Sequence, residues 1–380
     1  MDFALTDEQR MVRDTARRLA QETIKPIAAE LDQSHRFPTE ICNQLAELGL
    51  LGIFVPQEYG GSEMDYVSYA VAMIEIAKAC ASCSCIMATH NSLYCYPVLA
   101  YGTEEQKKKY LVPAAKGKKI GCFGLTEPGA GSDAGGLRTK AVQDGDEWVI
   151  SGQKIFITNG MAANLAVIAA LTEPDQGARG ISCFIMELDG LKGFSRTPMN
   201  NKLGIHATAT AELNFDEVRL PADSFLGARG KGLSQMLTTL DGGRIGIASQ
   251  ALGIGRAVLE EALEYTKTRE QFGKPLAKFQ SVQFKLADMA ADLDAAELLI
   301  LRAAWLVQNK MSYQKEAAMA KMYASDVSMK AAVEGIQLLG GYGYFNDYHM
   351  ERHLRDVKIT QIYEGTNEVM RMVIARNLLK

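Results

Sequence analysis

The chain has no surplus of positive charge: 41 Lys and Arg stand against 45 Asp and Glu in 380 residues. A formal net charge of −4 argues against a broad nucleic-acid surface, which needs clustered basic residues. No apolar run reaches the ~18 residues of a membrane span. The opening segment MDFALTDEQRMVRDTARRLA carries Asp2, Asp7 and Glu8 and no apolar core. It reads as neither a secretory signal nor an Arg-rich transit peptide, so a cytoplasmic location is the expectation. Also missing is the glycine-rich turn between strand and helix on which a doubly wound nucleotide-binding fold depends. The nearest match, Gly253-Ile254-Gly255, lies within the helical stretch IASQALGIGRAVLEEALEY, where its glycines suit close helix packing.

Metal ligands in a complete set are absent as well. Seven cysteines are present, four of them between Cys80 and Cys95. Their surroundings are helical and apolar, and no second Cys-x-x-Cys or paired histidines complete a zinc site. Buried thiols in a reducing compartment are the reading. His349 and His353 stand one helical turn apart without a third ligand, and the sequence around them reads as a charged helix surface. Lys107-Lys108-Lys109, after Glu104-Glu105, reads as a solvated helix face. No metal is expected.

What is there falls into three zones. Residues 1–118 are rich in helix formers, as in Glu8–Ala20, Glu40–Leu48 and Val67–Ala79, punctuated by Pro38, Pro56, Gly60-Gly61 and Pro97. Residues 119–228 turn to short β-branched and aromatic runs: Trp148–Ile150, Lys154–Thr158, Leu165–Ala170, Gly180–Glu187 and Thr208–Phe215. Glycine and Asn/Asp turns separate them, which predicts an antiparallel β domain with a hairpin at Asp144-Gly145. Residues 229–380 are helical again. Val282, Leu286, Met289, Leu293, Ala296, Ile300, Ala303 and Val307 recur at spacings of four and three, the stripe of a helix in a bundle or a subunit interface. The expected fold is α+β: helical, then β, then a four-helix bundle.

Five stretches carry chemistry. Leu125-Thr-Glu-Pro-Gly-Ala-Gly-Ser-Asp133 offers glycines that admit an anion or a planar ring, and hydroxyls at Thr126 and Ser132. Lys154-Ile-Phe-Ile-Thr-Asn159 is a strand with an aromatic. Arg269-Glu-Gln-Phe-Gly273, followed by Phe279-Gln280, puts a guanidinium beside a glycine turn, which suits a pyrophosphate. Gln337-Leu-Leu-Gly-Gly-Tyr-Gly343 runs a helix into glycines. The last is Gln361-Ile-Tyr-Glu-Gly-Thr-Asn-Glu368.

In this order these five resemble the acyl-CoA dehydrogenase family, and the resemblance spans nearly the whole chain. LDGGRIGIASQ (240–250) and YEGTNE look most like its short-chain, butyryl-CoA branch. The resemblance implies FAD as cofactor. It implies Phe123, Leu125, Thr126, Gly131 and Ser132 along the flavin, with Ser132 also touching CoA, and Phe156, Ile157 and Thr158 against the ring. It implies Arg269, Gln280, Gln337, Leu338, Gly340 and Gly341 on the FAD of a neighbouring subunit, in a homotetramer. Thr366, Asn367 and Glu368 would hold the flavin from the catalytic side, and Asp241, Arg244 and Gly365 would meet the substrate. Glu364 matches the catalytic base.

A proton beside a thioester carbonyl is a weak acid, so such a base gains from burial that raises its pKa and from donors that polarise the carbonyl. The family passes electrons to an electron-transferring flavoprotein, the partner expected here. Oxidases of the same fold usually carry a long further C-terminal domain, whereas this chain ends soon after Glu364. Pocket residues leave open a cyclic, branched or aryl acyl-CoA, or the reverse enoyl-CoA reduction. A helical partner-binding protein without catalysis is the reading from another class. The likeness of residues 240–254 to the short-chain branch implies a shallow pocket, which bulk at Met87, Leu93, Tyr94 and Tyr96 would close.

Overall fold

The computed structural model describes residues 4–379. Its first helices are α1 Asp7–Leu19, α2 Lys25–Ser34, α3 Thr39–Glu47, α4 Tyr66–Ala79 and α5 Ala81–Ala88. Thr6 starts α1 with a capping box, its hydroxyl accepting from Gln9 N while the Gln9 side chain bonds back to Thr6 N. Every residue of α5 is buried, as are all seven cysteines, which are free. Helix α4 is buried along nearly its whole length because it packs on α1 at one side and on the C-terminal helices at another. No helix among the described residues is long and apolar enough to cross a membrane.

The strands are β1 Gly121–Gly124, β2 Lys140–Asp144, β3 Glu147–Ile157, β4 Leu165–Leu171, β5 Ile181–Glu187, β6 Phe194–Pro198, β7 Ala211–Pro221 and β8 Phe225–Leu226. They run β6-β7-β3-β2-β4-β5-β8, with β1 beside β4. The hairpin at Gly145-Asp146 is closed by the Asp144↔Glu147 pair. The sheet is mixed, which corrects the expectation of a purely antiparallel domain. β1 pairs in parallel with residues 165–168 of β4, and Lys140 of β2 pairs in parallel with Leu171. Short runs such as β1 carry no mark of direction, and β4 accepts both partners along one edge. Its alternate residues serve two cores: Ala166, Ile168 and Ala170 pack with Trp148 and Phe184, while Leu165, Val167 and Ala169 face the helices.

The C-terminal helices are α6 Gly232–Thr268, α7 Gln280–Gln308, α8 Gln314–Leu339, α9 Met350–Lys358 and α10 Asn367–Leu378. Met289, Leu293, Ala296, Ile300 and Ala303 of the predicted stripe are buried in the core shared by α4, α6, α7 and α8. A Cβ at Gly253 would meet the carbonyl of Ile74 and the Ala77 side chain, so that glycine is what lets α6 approach α4. His349 and His353 do not share a helix face: His349 is left-handed and precedes α9. His353 is buried beside Glu261 at 3.4 Å rather than on a solvated surface. No group of three or more His, Cys, Asp or Glu suited to a metal occurs among the described residues.

Candidate active site

The segment after α9 turns sharply. Glu364 has φ 52° and Gly365 φ 97°. Glycine adopts that backbone freely, whereas for a glutamate it is strained, and such strain is held in place only by surrounding structure. Thr366 then caps α10, its hydroxyl accepting from Val369 N at 3.3 Å. Behind the turn lies Lys321 of α8, fully buried, donating from Nζ to Gly365 O at 2.7 Å and Asn367 Oδ1 at 3.0 Å.

The Glu364 side chain projects toward the Gly242-Gly243 pair of α6. A Cβ at Gly243 would collide with the Glu364 carboxylate and press on Leu93. Glu364 Oε2 is buried with no hydrogen-bond partner. Burial pushes this carboxyl up to about 8, against the pull of Arg244 and Lys321. Burial draws the Lys321 ammonium down to about 7. Arg244 and Asp241, both buried, form an ion pair; Asp241 also accepts from Gln314 Nε2 at 2.8 Å, and Arg244 Nε lies 3.4 Å from Glu364 O. The substrate-side residues of the sequence reading, Asp241, Arg244, Glu364 and Gly365, thus come together.

On the sheet side, the β3–β7 register shifts between Lys154 and Ile157. At this bulge Phe156 takes φ 60° and is 63% exposed, although its neighbour Ile157 is buried. A bulge re-aims a side chain in this way. Below it Lys154, with no exposed surface, donates to Glu127 Oε1 at 2.6 Å and Leu125 O at 3.2 Å. Glu127 also accepts from Arg138 N and Thr139 N at 2.6 and 2.9 Å. With Ile155 N donating to Thr126 O at 2.9 Å, these bonds fasten the 125–133 loop to β3. Phe123 and Leu125 are buried beneath the loop; Gly131 and Ser132 are exposed, and a Cβ on Gly129 or Gly131 would meet nothing within 4 Å.

Two cavities flank these elements. One, of about 640 Å³, is lined by Phe156, Thr158, Lys202, Ile362 and Tyr363, among others. The other, of about 850 Å³, gathers Arg269, Gln337, Leu338, Gly340 and Gly341, with the Arg269 guanidinium 5.5 Å from the Tyr342 ring centre. The two share no lining residue. Gln280 opens α7 next to Ser281 and Val282, which line the second cavity.

Asn367 is held from behind. Its amide donates to Ser325 Oγ at 2.9 Å and Asp326 Oδ1 at 2.7 Å, so the side chain ties α10 to α8. Glu368 is exposed on the first turn of α10. Lys154, Glu127, Lys321, Lys202 and Gly243 are site residues that sequence reasoning did not single out. Only Lys154, a lysine opening the apolar end Ile155–Ile157 of its strand, carried a signal.

An exposed aromatic on the strand tied to a glycine-rich loop suits a planar ring, and a separate cationic, glycine-rich cavity suits a phosphorylated tail. The orphaned carboxylate oxygen is a buried acceptor left without a donor. These features fit a flavin dinucleotide and an acyl thioester.

Three family models cover nearly the whole chain: "Acyl-CoA dehydrogenase, N-terminal domain" matches residues 6–118, the middle domain 122–218 and the C-terminal domain 230–379. The short-chain specific acyl-CoA dehydrogenase of Clostridium acetobutylicum is 48% identical over 380 residues, all of both chains. The mitochondrial short-chain specific enzyme of Bos taurus is 48% identical over 99% of this chain and 91% of its own. Butyryl-CoA dehydrogenase of Megasphaera elsdenii superposes with TM-score 0.98 at 46% identity, covering both chains fully. A chain from the structure of the electron transferring flavoprotein of Acidaminococcus fermentans gives the same TM-score and identity, again over both chains in full. With matches of this length and identity, the chain belongs to the acyl-CoA dehydrogenase family.

Proposed function

We propose that this chain oxidises a short-chain acyl-CoA to the trans-2-enoyl-CoA, with Glu364 as base and FAD as cofactor. The observation that carries the reading is Glu364 Oε2, buried, unpartnered and raised toward neutrality on a strained turn. FAD, when bound, supplies the acceptor for the hydride that leaves the substrate β-carbon. The chain's own residues do the rest. Glu364 takes the α-proton, and its burial keeps water from competing for the carboxylate. Its backbone N–H, which has no acceptor among the described residues, is free to donate to the thioester carbonyl and acidify that proton. Lys321 and Asn367 hold the turn from behind. Arg244 and Asp241 stand beside it for the CoA side, and Ser132 is the further proposed CoA contact.

Phe123, Leu125, Thr126, Gly131, Ser132, Phe156, Ile157 and Thr158 form the flavin cradle, with Thr366 and Glu368 at the α10 end. The Arg269 cavity would receive the dinucleotide tail of a neighbour's FAD, which supports a homotetramer. Exposed rings there, Phe272 at 93% and Tyr344 at 79%, need covering in any assembly. Electron-transferring flavoprotein is the proposed acceptor, in line with the Acidaminococcus likeness. The cytoplasm is the proposed location, since seven unpaired cysteines suit a reducing compartment.

The test is anaerobic titration of the purified yellow protein with acyl-CoAs of graded length. Stoichiometric bleaching is expected, most efficient at about four to six carbons because a floor clash rejects longer chains more sharply than each methylene rewards them. A protein that binds FAD yet is bleached by no acyl-CoA would overturn the reading.

A further inference from the structure

Lys202 is a cation in an unusual place. It lines the same cavity as Phe156, Thr158 and Tyr363. Its Nζ donates to Thr208 Oγ1 at 2.7 Å and Thr210 Oγ1 at 3.0 Å. The Thr208 hydroxyl in turn donates to Ile205 O at 2.9 Å, and Thr210 Oγ1 lies 3.1 Å from Thr208 Oγ1. With the Thr208 proton spent on Ile205, the proton between the two hydroxyls belongs to Thr210. Both oxygens then present only lone pairs to Nζ, a setting built for an ammonium. Its third N–H has no partner among the described residues, and no carboxylate forms an ion pair with it.

The loop that supplies this setting is itself strained. Ile205 and Ala209 flank the two-sided turn at φ 45° and 46°. Neither is glycine, and left-handed backbone at such residues persists where the surroundings impose it. The other cations lining the cavity are occupied: Arg355 by Asp32 and Glu351, Lys358 by Gln361. Glu212, the one lining carboxylate, accepts from Asn214 Nδ2 at 3.0 Å.

We infer that Lys202 stabilises the negative charge that a flavin in this cavity acquires on reduction, and so raises its reduction potential. The inference rests on the proposed flavin site. A hydride transferred to a neutral flavin adds two electrons and one proton, leaving the product with one negative charge unless a second proton follows. A desolvated ammonium beside the ring favours that product over the neutral oxidised form. Burial draws Lys202 down to about 8, so it remains mostly charged at pH 7.

The test uses FAD-loaded wild type, Lys202→Gln and Lys202→Arg, with potentials read by dye equilibration and no acyl-CoA present. Gln keeps a donor for the threonines without the charge; Arg keeps the charge. Lys202→Gln should lower the reduced-to-oxidised ratio at a given poise about tenfold, ~30 mV for a two-electron couple, while Lys202→Arg stays near wild type. Should Lys202→Gln shed FAD, the ratio of its Kd values for oxidised and reduced FAD reports the same quantity. An unchanged ratio in Lys202→Gln, or equal falls in both variants, would overturn the inference. A wild type that takes up no FAD would instead overturn the flavin site.

Discussion

Lys321 Nζ donates to the carbonyl oxygen of Gly365 at 2.7 Å, which sets a fully buried ammonium directly behind the turn that presents Glu364. The two groups are coupled: the lysine holds the carboxyl down while burial drives it up. Replacing Lys321 with Met removes both the clamp and the charge. Turnover needs the ionised base, so the acidic limb of the pH–rate profile should move to higher pH, with kcat at pH 7 falling about tenfold or more. A profile that keeps its wild-type midpoint would show that Lys321 only supports the fold.

Glu364→Gln should retain FAD and lose nearly all flavin reduction, because an amide accepts no proton. A tenth of the wild-type rate remaining would assign the base elsewhere. The same variant tests the pH linkage. A carboxyl raised from 4.5 to about 8 binds its proton more tightly folded than unfolded. Its contribution to stability is complete below 4.5 and disappears as pH rises through 8. Glu364→Gln should therefore match wild type in melts at pH 5 and exceed it by roughly 2–4 kcal/mol at pH 9.

Gly243→Ala probes the room reserved for the carboxylate. The new Cβ would strike Glu364, and helix α6 would gain only about 1 kcal/mol in propensity. Bleaching by butyryl-CoA should slow at least ~10-fold while the melting temperature moves by a few degrees at most. A full-speed variant would place the functional carboxylate position away from Gly243.

The Lys154–Glu127 pair predicts a pattern across two variants. Lys154→Met leaves a buried carboxylate uncompensated and should cost about 3–5 kcal/mol, together with FAD retention. Adding Glu127→Leu should recover much of the stability, yet not the flavin, since only the Ile155–Thr126 backbone bond then ties the loop to β3. Denaturant titration of both, with flavin content by absorbance, checks this; additive losses would mean the pair is not coupled.

Much of this architecture was legible before any coordinates. The four-and-three stripe from Val282 to Val307 and the strand runs follow from periodicity, which depends only on local backbone geometry. Glu364, Arg244, Phe156 and the glycine stretches were visible because their motifs are contiguous. The direction of β1 and β2 was not, since a four-residue apolar strand pairs equally well either way. Nor was the exposure of Phe156, which depends on a bulge set by register with β7.

The buried charges were hidden for a different reason. Lys154 and Glu127 are 27 residues apart, and Lys321 and Gly365 are 44 apart. A lysine in a sequence is a surface residue by default, and it becomes a clamp or an electrostatic wall only when packing removes water and brings one acceptor within 3 Å. Residue types and their local spacing determine the helices and the strands, and the contiguous YEGTNE motif singles out Glu364 as the proposed base. The pKa of that base, the room at Gly243 and the unpaired state of Lys202 arise from desolvation and distance, which exist only once distant segments meet.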